Sequence, residues 1–386
     1  MQKLNNAPKM TAGERMKGLV RNQIFIPVAA LLILVVFNLI ADPGFFKITL
    51  GNNSNGDPVL SGYLITILNN ASELVILAIG MTLVTAASGG QDISVGATIA
   101  IAGSVMLRVL CGNAGPRPET MQAPILVAFA VGCVAAMIFG AFNGTLVAYF
   151  KIQPMVATLI MFTAGRSIAA WINNNQLPII SEASFGYFGN FIPGIPVPTP
   201  VFIAIACVII TMLVMKFTTL GLYTQAVGIN AHSSRLNGLN PAFVKFLTYV
   251  ILGLCVAVAA LIKVSRISSI NYSVIAKDIE MDAILAVALG GNALSGGRFN
   301  MWGSILGAYV IQFLTTTLYK FNVASDALPA YKAVVVIILV IMSAPVVRQK
   351  MSKLWKQYVK TAKEAKGYGT ENCSTKRQAD KACGYL

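Results

Sequence analysis

The sequence predicts an all-α membrane protein of about ten transmembrane helices, with glycine-broken segments and a pseudo-repeat of two halves. Three observations predict it. First, 56% of the 386 residues are hydrophobic, only 11% are charged, and mean hydropathy is +0.71; a soluble domain carries about 25% charged residues. Second, apolar windows of spanning length recur along the chain. Third, Gly89-Gly90-Gln91-Asp92-Ile93-Ser94-Val95-Gly96 and Gly290-Gly291-Asn292-Ala293-Leu294-Ser295-Gly296-Gly297 share one pattern about 200 residues apart. Both interrupt hydrophobic stretches. Paired glycine-broken segments in matching halves point to a transporter core. Two similar interhelical turns are the plainer reading of the same residues.

The windows fall at 24–41, 64–87, 93–111, 125–148, 153–172, 200–215, 243–262, 281–291 with its continuation, 300–319 and 331–347. Glycines cut the eighth short. Residues 1–23 carry a formal charge of +4 and residues 348–386 carry +7, most of the net +15. Such basic flanks place both termini in the cytoplasm by the positive-inside bias and favour anionic membrane lipid. They do not form the aromatic-studded basic face of a nucleic-acid binder. The 24–41 segment reads as an uncleaved first span, because no small-residue cleavage site follows it.

With both ends inside, 42–62, 112–123, 173–199 and 263–280 lie outside, and 216–242 lies inside. Pro178, Pro193, Pro196 and Pro198 make 173–199 a loop. Lys263, Arg266 and Lys277 fit an outer loop poorly. The organisation is then a basic N-terminus (1–23), a permease domain (24–347) enclosing the 216–242 loop, and a basic tail (348–386), partly disordered for want of large apolar residues.

Chemistry is scarce. The chain has no phosphate-binding G-x-x-x-x-G-K-[S/T], no H-E-x-x-H and no clustered metal ligands. Cys111, Cys133, Cys207 and Cys255 read as small apolar residues, and Cys373 and Cys383 lie in the tail. His232, the one histidine, reads as a solvated loop residue. Nothing argues for covalent catalysis, a metal or a cofactor held by this chain. Charges within spans are costly and therefore candidates for function. Here they are Glu73, Asp92, Arg166 and Asp282, with Arg108 near a span end. Asp92 and Asp282 serve equally well as helix-end caps.

In the 216–242 loop, Gln225–Leu236 can form about three helical turns. Gly238 suits its C-terminus, with Pro241 as a stop. A short helix there is a docking element or a plain connector.

These residues resemble the permease subunits of sugar-importing ATP-binding-cassette transporters, the ribose, arabinose, xylose and galactofuranose branch. The matching stretches are 77–84, 88–96, Asn143-Gly144, Lys151-Ile152-Gln153-Pro154, 156–159, Ala164-Gly165-Arg166, Ala226-Val227-Gly228-Ile229-Asn230, 281–287 and 289–299. Lys151–Pro154 and the run Gly296–Asn300 look most like the galactofuranose type. Gln91 departs from the aliphatic residue usual there. Glu73 departs from a neutral position, and the tail from Lys363 matches nothing in the family.

The resemblance implies a non-catalytic subunit that carries a monosaccharide across the cytoplasmic (inner) membrane. ATP and Mg would sit on a separate cytoplasmic ATPase. A periplasmic binding protein would deliver the sugar, and a second permease subunit, identical or paralogous, would complete the path. Ala226, Gly228, Asn230, Arg235 and Gly238 would belong to the coupling helix. Gln91, Asp92, Ser94, Asn143, Asn292 and Ser295 are the candidate path lining, neutral enough for sugar hydroxyls. Gly89, Gly90, Gly96, Gly290, Gly291, Gly296 and Gly297 are the candidate backbone breaks. An ion- or proton-coupled carrier of a small polar solute is the alternative.

Overall fold

The computed structural model describes residues 24–52, 58–324 and 326–343. The basic N-terminus and the tail predicted above lie outside the described residues, as does the end of the last window. Helices occupy each of the ten apolar windows. They are α1 Phe25–Ala41, α2 Tyr63–Ser88, α3 Val95–Cys111, α4 Ile125–Ala148, α5 Pro154–Ile172, α7 Thr199–Phe217, α10 Pro241–Ile267, α11 Ile279–Leu289, α12 Met301–Lys320 and α13 Leu328–Ser343. The single turn α6 Ala183–Gly186 and the short pair α8 Leu220–Ile229 and α9 Ala231–Leu236 complete the α-helices among the described residues, and a 3-10 turn spans Pro43–Phe46. Six, namely α2, α4, α5, α7, α10 and α12, are long and apolar enough to cross a membrane; α1 and α3 are shorter apolar helices.

α2 is the hub. Its apolar stretch is 94% buried, against 11% for α7. It packs against α7, α8, α10, α11 and α12. In water an apolar surface such as that of α7 would be driven inward; in a bilayer it has a matching solvent. Close approach rests on glycine. A side chain at Gly140 would sit 2.5 Å from the Tyr249 carbonyl, so α4 and α10 meet backbone to backbone. Small residues permit such packing between spans.

The structure adds three features to the sequence expectations. A two-stranded antiparallel hairpin, β1 Thr49–Asn52 with β2 Pro58–Ser61, occupies the 42–62 segment. The predicted 225–236 helix is two helices. Asn230 breaks it with extended dihedrals (φ −155°, ψ 99°), and its side chain accepts the Ser233 N–H to start the second. Pro241 does not stop a helix. It opens α10, behind an Asn240 side chain that accepts the Phe243 N–H, a position where its missing N–H costs nothing.

α10 also extends to Ile267, so Lys263 and Arg266 lie on a helix rather than on a loop. The 173–199 segment is held to its far end: the Ile180 N–H donates to the Ser268 carbonyl and the Ile270 N–H to the Pro178 carbonyl. At the edge of the fold, Phe45 stacks on Tyr63 with ring centres 5.1 Å apart and lies against Phe313. Asn38 reaches Thr317 at 2.9 Å and joins α1 to α12.

Candidate functional site: a glycine seam and two polar clusters

The two glycine motifs meet. The first follows α2 and the second follows α11. The Gly297 N–H donates to the Ala86 carbonyl at 2.9 Å. A side chain at Gly89 would lie 2.8 Å from the Ser295 carbonyl. Gly89 and Gly297 both hold positive φ, 67° and 99°, a conformation that glycine adopts without penalty. The Gln91 amide reaches toward the Leu294 carbonyl at 3.5 Å. Gly90 is pressed on Pro154 at the start of α5.

α8 closes the seam from its other side. A side chain at Gly228 would fall 1.8 Å from the Ala86 carbonyl and 2.6 Å from the Gly297 nitrogen. Ala226 is half-buried, whereas Asn230, Arg235 and Gly238 are exposed. Three apolar residues of this pair of helices also stand out from the protein: Leu222 is 68% exposed, Ile229 63% and Leu236 77%. His232 is exposed on α9.

Each motif anchors a buried polar cluster, and neighbouring residues of α2 touch one cluster each. In the first, Asp92 Oδ1 accepts the Ser94 N–H at 2.8 Å and the Ser94 hydroxyl at 2.6 Å. Asn143 donates to Ser94 Oγ at 2.8 Å and approaches Asp92 Oδ2 at 3.5 Å. Asp92 thus folds its own loop, as short polar side chains do in turns. Met81 Sδ lies 3.4 Å from the Asp92 nitrogen, and the Ile93 N–H donates to Thr158 Oγ1 at 3.1 Å. Gly96 leaves room for Glu280, whose Oε2 would be 2.2 Å from any added side chain.

In the second, Asn292 Nδ2 donates to Ser304 Oγ at 2.7 Å and to the Val287 carbonyl at 3.2 Å. Its Oδ1 accepts the Asn300 N–H at 2.6 Å. Thr82 joins the chain at Ser304, 2.6 Å away. Ser295 is exposed. Gly290 and Gly303 cross at contact distance: a side chain on Gly303 would meet the Gly290 carbonyl at 2.2 Å. Gly291 and Gly296 hold positive φ.

The structure therefore brings Gln91 beside the second motif and groups Asp92, Ser94 and Asn143. Asn292 joins a separate cluster, with its amide engaged on both sides. Sequence reasoning missed Thr82, Thr158, Asn300 and Ser304. Their one signal is a hydroxyl or amide within or beside an apolar run.

Three of the remaining span charges are engaged. Glu73, 2% exposed, pairs with Lys263 at 3.0 Å and Arg266 at 2.6 Å. Asp282 pairs with Lys332 at 2.8 Å. Arg166 donates to the carbonyls of Tyr272, Ser273 and Ile275. Arg108 is exposed in the last turn of α3. Among the described residues no group of His, Cys, Asp or Glu is placed to hold a metal ion.

A family model described as branched-chain amino acid transport system / permease component matches residues 63–344. The galactofuranose transporter permease protein YtfT of Escherichia coli K12 is 38% identical over 317 residues, 82% of this chain and 88% of its own length. The fructose import permease protein FruF of Bifidobacterium longum is 35% identical over 334 residues, 85% and 90% of the two chains. The ribose import permease protein RbsC of Escherichia coli K12 is 33% identical over 318 residues, 81% and 91%. No solved structure matches the chain.

Proposed function

Because the chain belongs to the family described as branched-chain amino acid transport system / permease component, we infer that it is the transmembrane permease subunit of an ATP-binding-cassette importer of a monosaccharide. The likeness that carries this reading is its extent: relatives named as galactofuranose, fructose and ribose permeases align over more than four-fifths of this chain and of their own. A permease of this kind performs no bond chemistry. It offers a path whose two ends open in turn, and a cytoplasmic ATPase drives the alternation by binding the two states differently.

The partners follow from that role: an ATPase, a periplasmic sugar-binding protein and a second permease subunit, in the inner membrane with both termini cytoplasmic. α8 and α9 are the ATPase dock. Their exposed Leu222, Ile229 and Leu236 supply an apolar contact, and Gly228 ties that contact to the seam between the motifs. A push on α8 therefore meets α2 and the second motif together. Gln91, Asp92, Ser94, Asn143, Asn292 and Ser295 lie around the inner end of the path. Those that are buried hold the loop shapes that border it.

The test is ATP-dependent uptake of ribose, fructose and galactofuranose into vesicles holding the chain with its ATPase and binding protein. Uptake of one of them, abolished without ATP, is the expected result. Uptake that needs an ion gradient and no ATP overturns the reading. Ser184→Cys, labelled by a membrane-impermeant thiol reagent in intact cells, checks the orientation; protection of that site reverses it.

A further inference from the structure

At the opposite end of α2 and α10 from the glycine seam lies a cavity of about 500 Å³. Fifteen residues separate Glu73 from Ser88 along α2, roughly 22 Å at helical rise. The cavity is bounded by α2, α10, α11, α12 and the 269–277 segment. Its volume falls within the range of small-molecule pockets, about 300–1,000 Å³. Glu73, Lys263, Arg266, Asp282, Gln312 and Thr315 line it, together with the exposed Lys277. Charged side chains on membrane spans face water-filled space or one another, not lipid.

The charges divide by what they still offer. Arg266 is spent on the protein: it donates to the Gly189 carbonyl, to Asn69 and to Asn70, and pairs with Glu73. Lys263 is not, since its ammonium carries three donors and its side chain is 28% exposed. Asp282 holds Lys332 through Oδ2 and keeps acceptor capacity on a carboxylate that takes several hydrogen bonds. The Gln312 amide adds donor and acceptor together. Donors and acceptors thus converge, with both carboxylates already paired to cations and Lys277 exposed to screening solvent. That pattern suits a neutral molecule rich in hydroxyl groups.

We propose that this cavity holds the transported neutral sugar within the membrane, with Lys263, Asp282 and Gln312 as its hydroxyl partners. The proposal rests on the importer reading above. It assigns substrate contact to the charged end of the fold and leaves the glycine seam as framework.

The experiment uses the complete transporter in proteoliposomes, with whichever of ribose, fructose and galactofuranose the wild type takes up. Gln312→Ala lowers uptake about tenfold at unchanged protein level and unchanged ATPase association. In Gln312→Cys, read by site-resolved mass spectrometry, that sugar at saturation slows thiol modification by about tenfold, and a sugar acid of equal carbon number does not. Wild-type uptake by Gln312→Ala overturns the proposal. So does lowered uptake without sugar protection, which marks a structural role. Protection by the acid alone overturns the neutral class. A wild type that takes up none of the sugars with ATP sinks the importer reading itself.

Discussion

The Gly297 N–H donates to the Ala86 carbonyl at 2.9 Å, and the two residues stand 211 positions apart. This bond joins the end of α2 to the second glycine motif. The bond itself runs from main chain to main chain, and the nearest side-chain contact across the junction is the Gln91 amide toward the Leu294 carbonyl at 3.5 Å.

Gly228 sits against both of these residues, with backbone at 1.8 and 2.6 Å from any added side chain. Backbone cannot swing aside. Gly228→Ala is expected to lower thermal stability by about 2 kcal/mol or more, as overpacking does, and to weaken capture of the ATPase in a pull-down. Gly238 gives the contrast. Nothing lies within 4 Å of its added side chain, but its φ is +80°. Gly238→Ala should cost only about 1 kcal/mol of backbone strain.

Asn292 and Gln91 occupy matching motif positions and should respond differently. Asn292→Ala strands the Asn300 N–H and removes a partner of Ser304 in a buried setting. A loss of about 2 kcal/mol is expected, read as a lower thermal midpoint in detergent. Gln91 makes one contact at 3.5 Å, and Gln91→Ala should leave the midpoint close to wild type. Equal effects of the two substitutions would count against the division of roles.

Glu73 holds two cations. Glu73→Gln leaves both under-compensated at a buried site and is expected to cost about 3 kcal/mol, the lower part of the range for breaking such a pair. Glu73→Gln with Lys263→Met should recover part of that loss. Additive losses in the double variant would show that the pair is not coupled.

Asp42 lies just past α1, where it accepts hydrogen bonds from Lys320 and from the Gly44 N–H. The Lys320 bond first, then the Gly44 bond, hold its carboxyl below the ordinary value. A depressed carboxyl contributes stability above its unfolded value of about 3.9 and loses it as pH falls through the lower folded value. The midpoint difference between wild type and Asp42→Asn should therefore be present at neutral pH and shrink on acidification below about pH 4. A difference that grows in acid would reverse the sign.

The helices were legible because a spanning segment announces itself by composition. Each apolar window holds one helix. What composition carries poorly is where a helix ends and what pairs across the fold. α10 runs on to Ile267 through Lys263 and Arg266, because Glu73 on α2 compensates charges that look like loop residues in sequence. The 225–236 stretch has helical propensity throughout, yet the Asn230 side chain wins a local bond to Ser233 and splits it. The glycine motifs were visible as a repeat. Their mutual contact was not, since a main-chain bond leaves no trace in residue type. Glu73 and Asp282 stood out as span charges, but the cavity they share did not, because its members are scattered over four helices.

A seam built mostly from main chain has few side chains to exchange. Retargeting this protein to a different solute would leave that end alone, because almost any substitution at Gly89, Gly228 or Gly297 adds atoms where none fit. The cavity near Glu73 is different. There Gln312 and Thr315 are ordinary replaceable side chains on α12. The molecule thus separates a part that directed evolution can rewrite from a part that it must inherit unchanged.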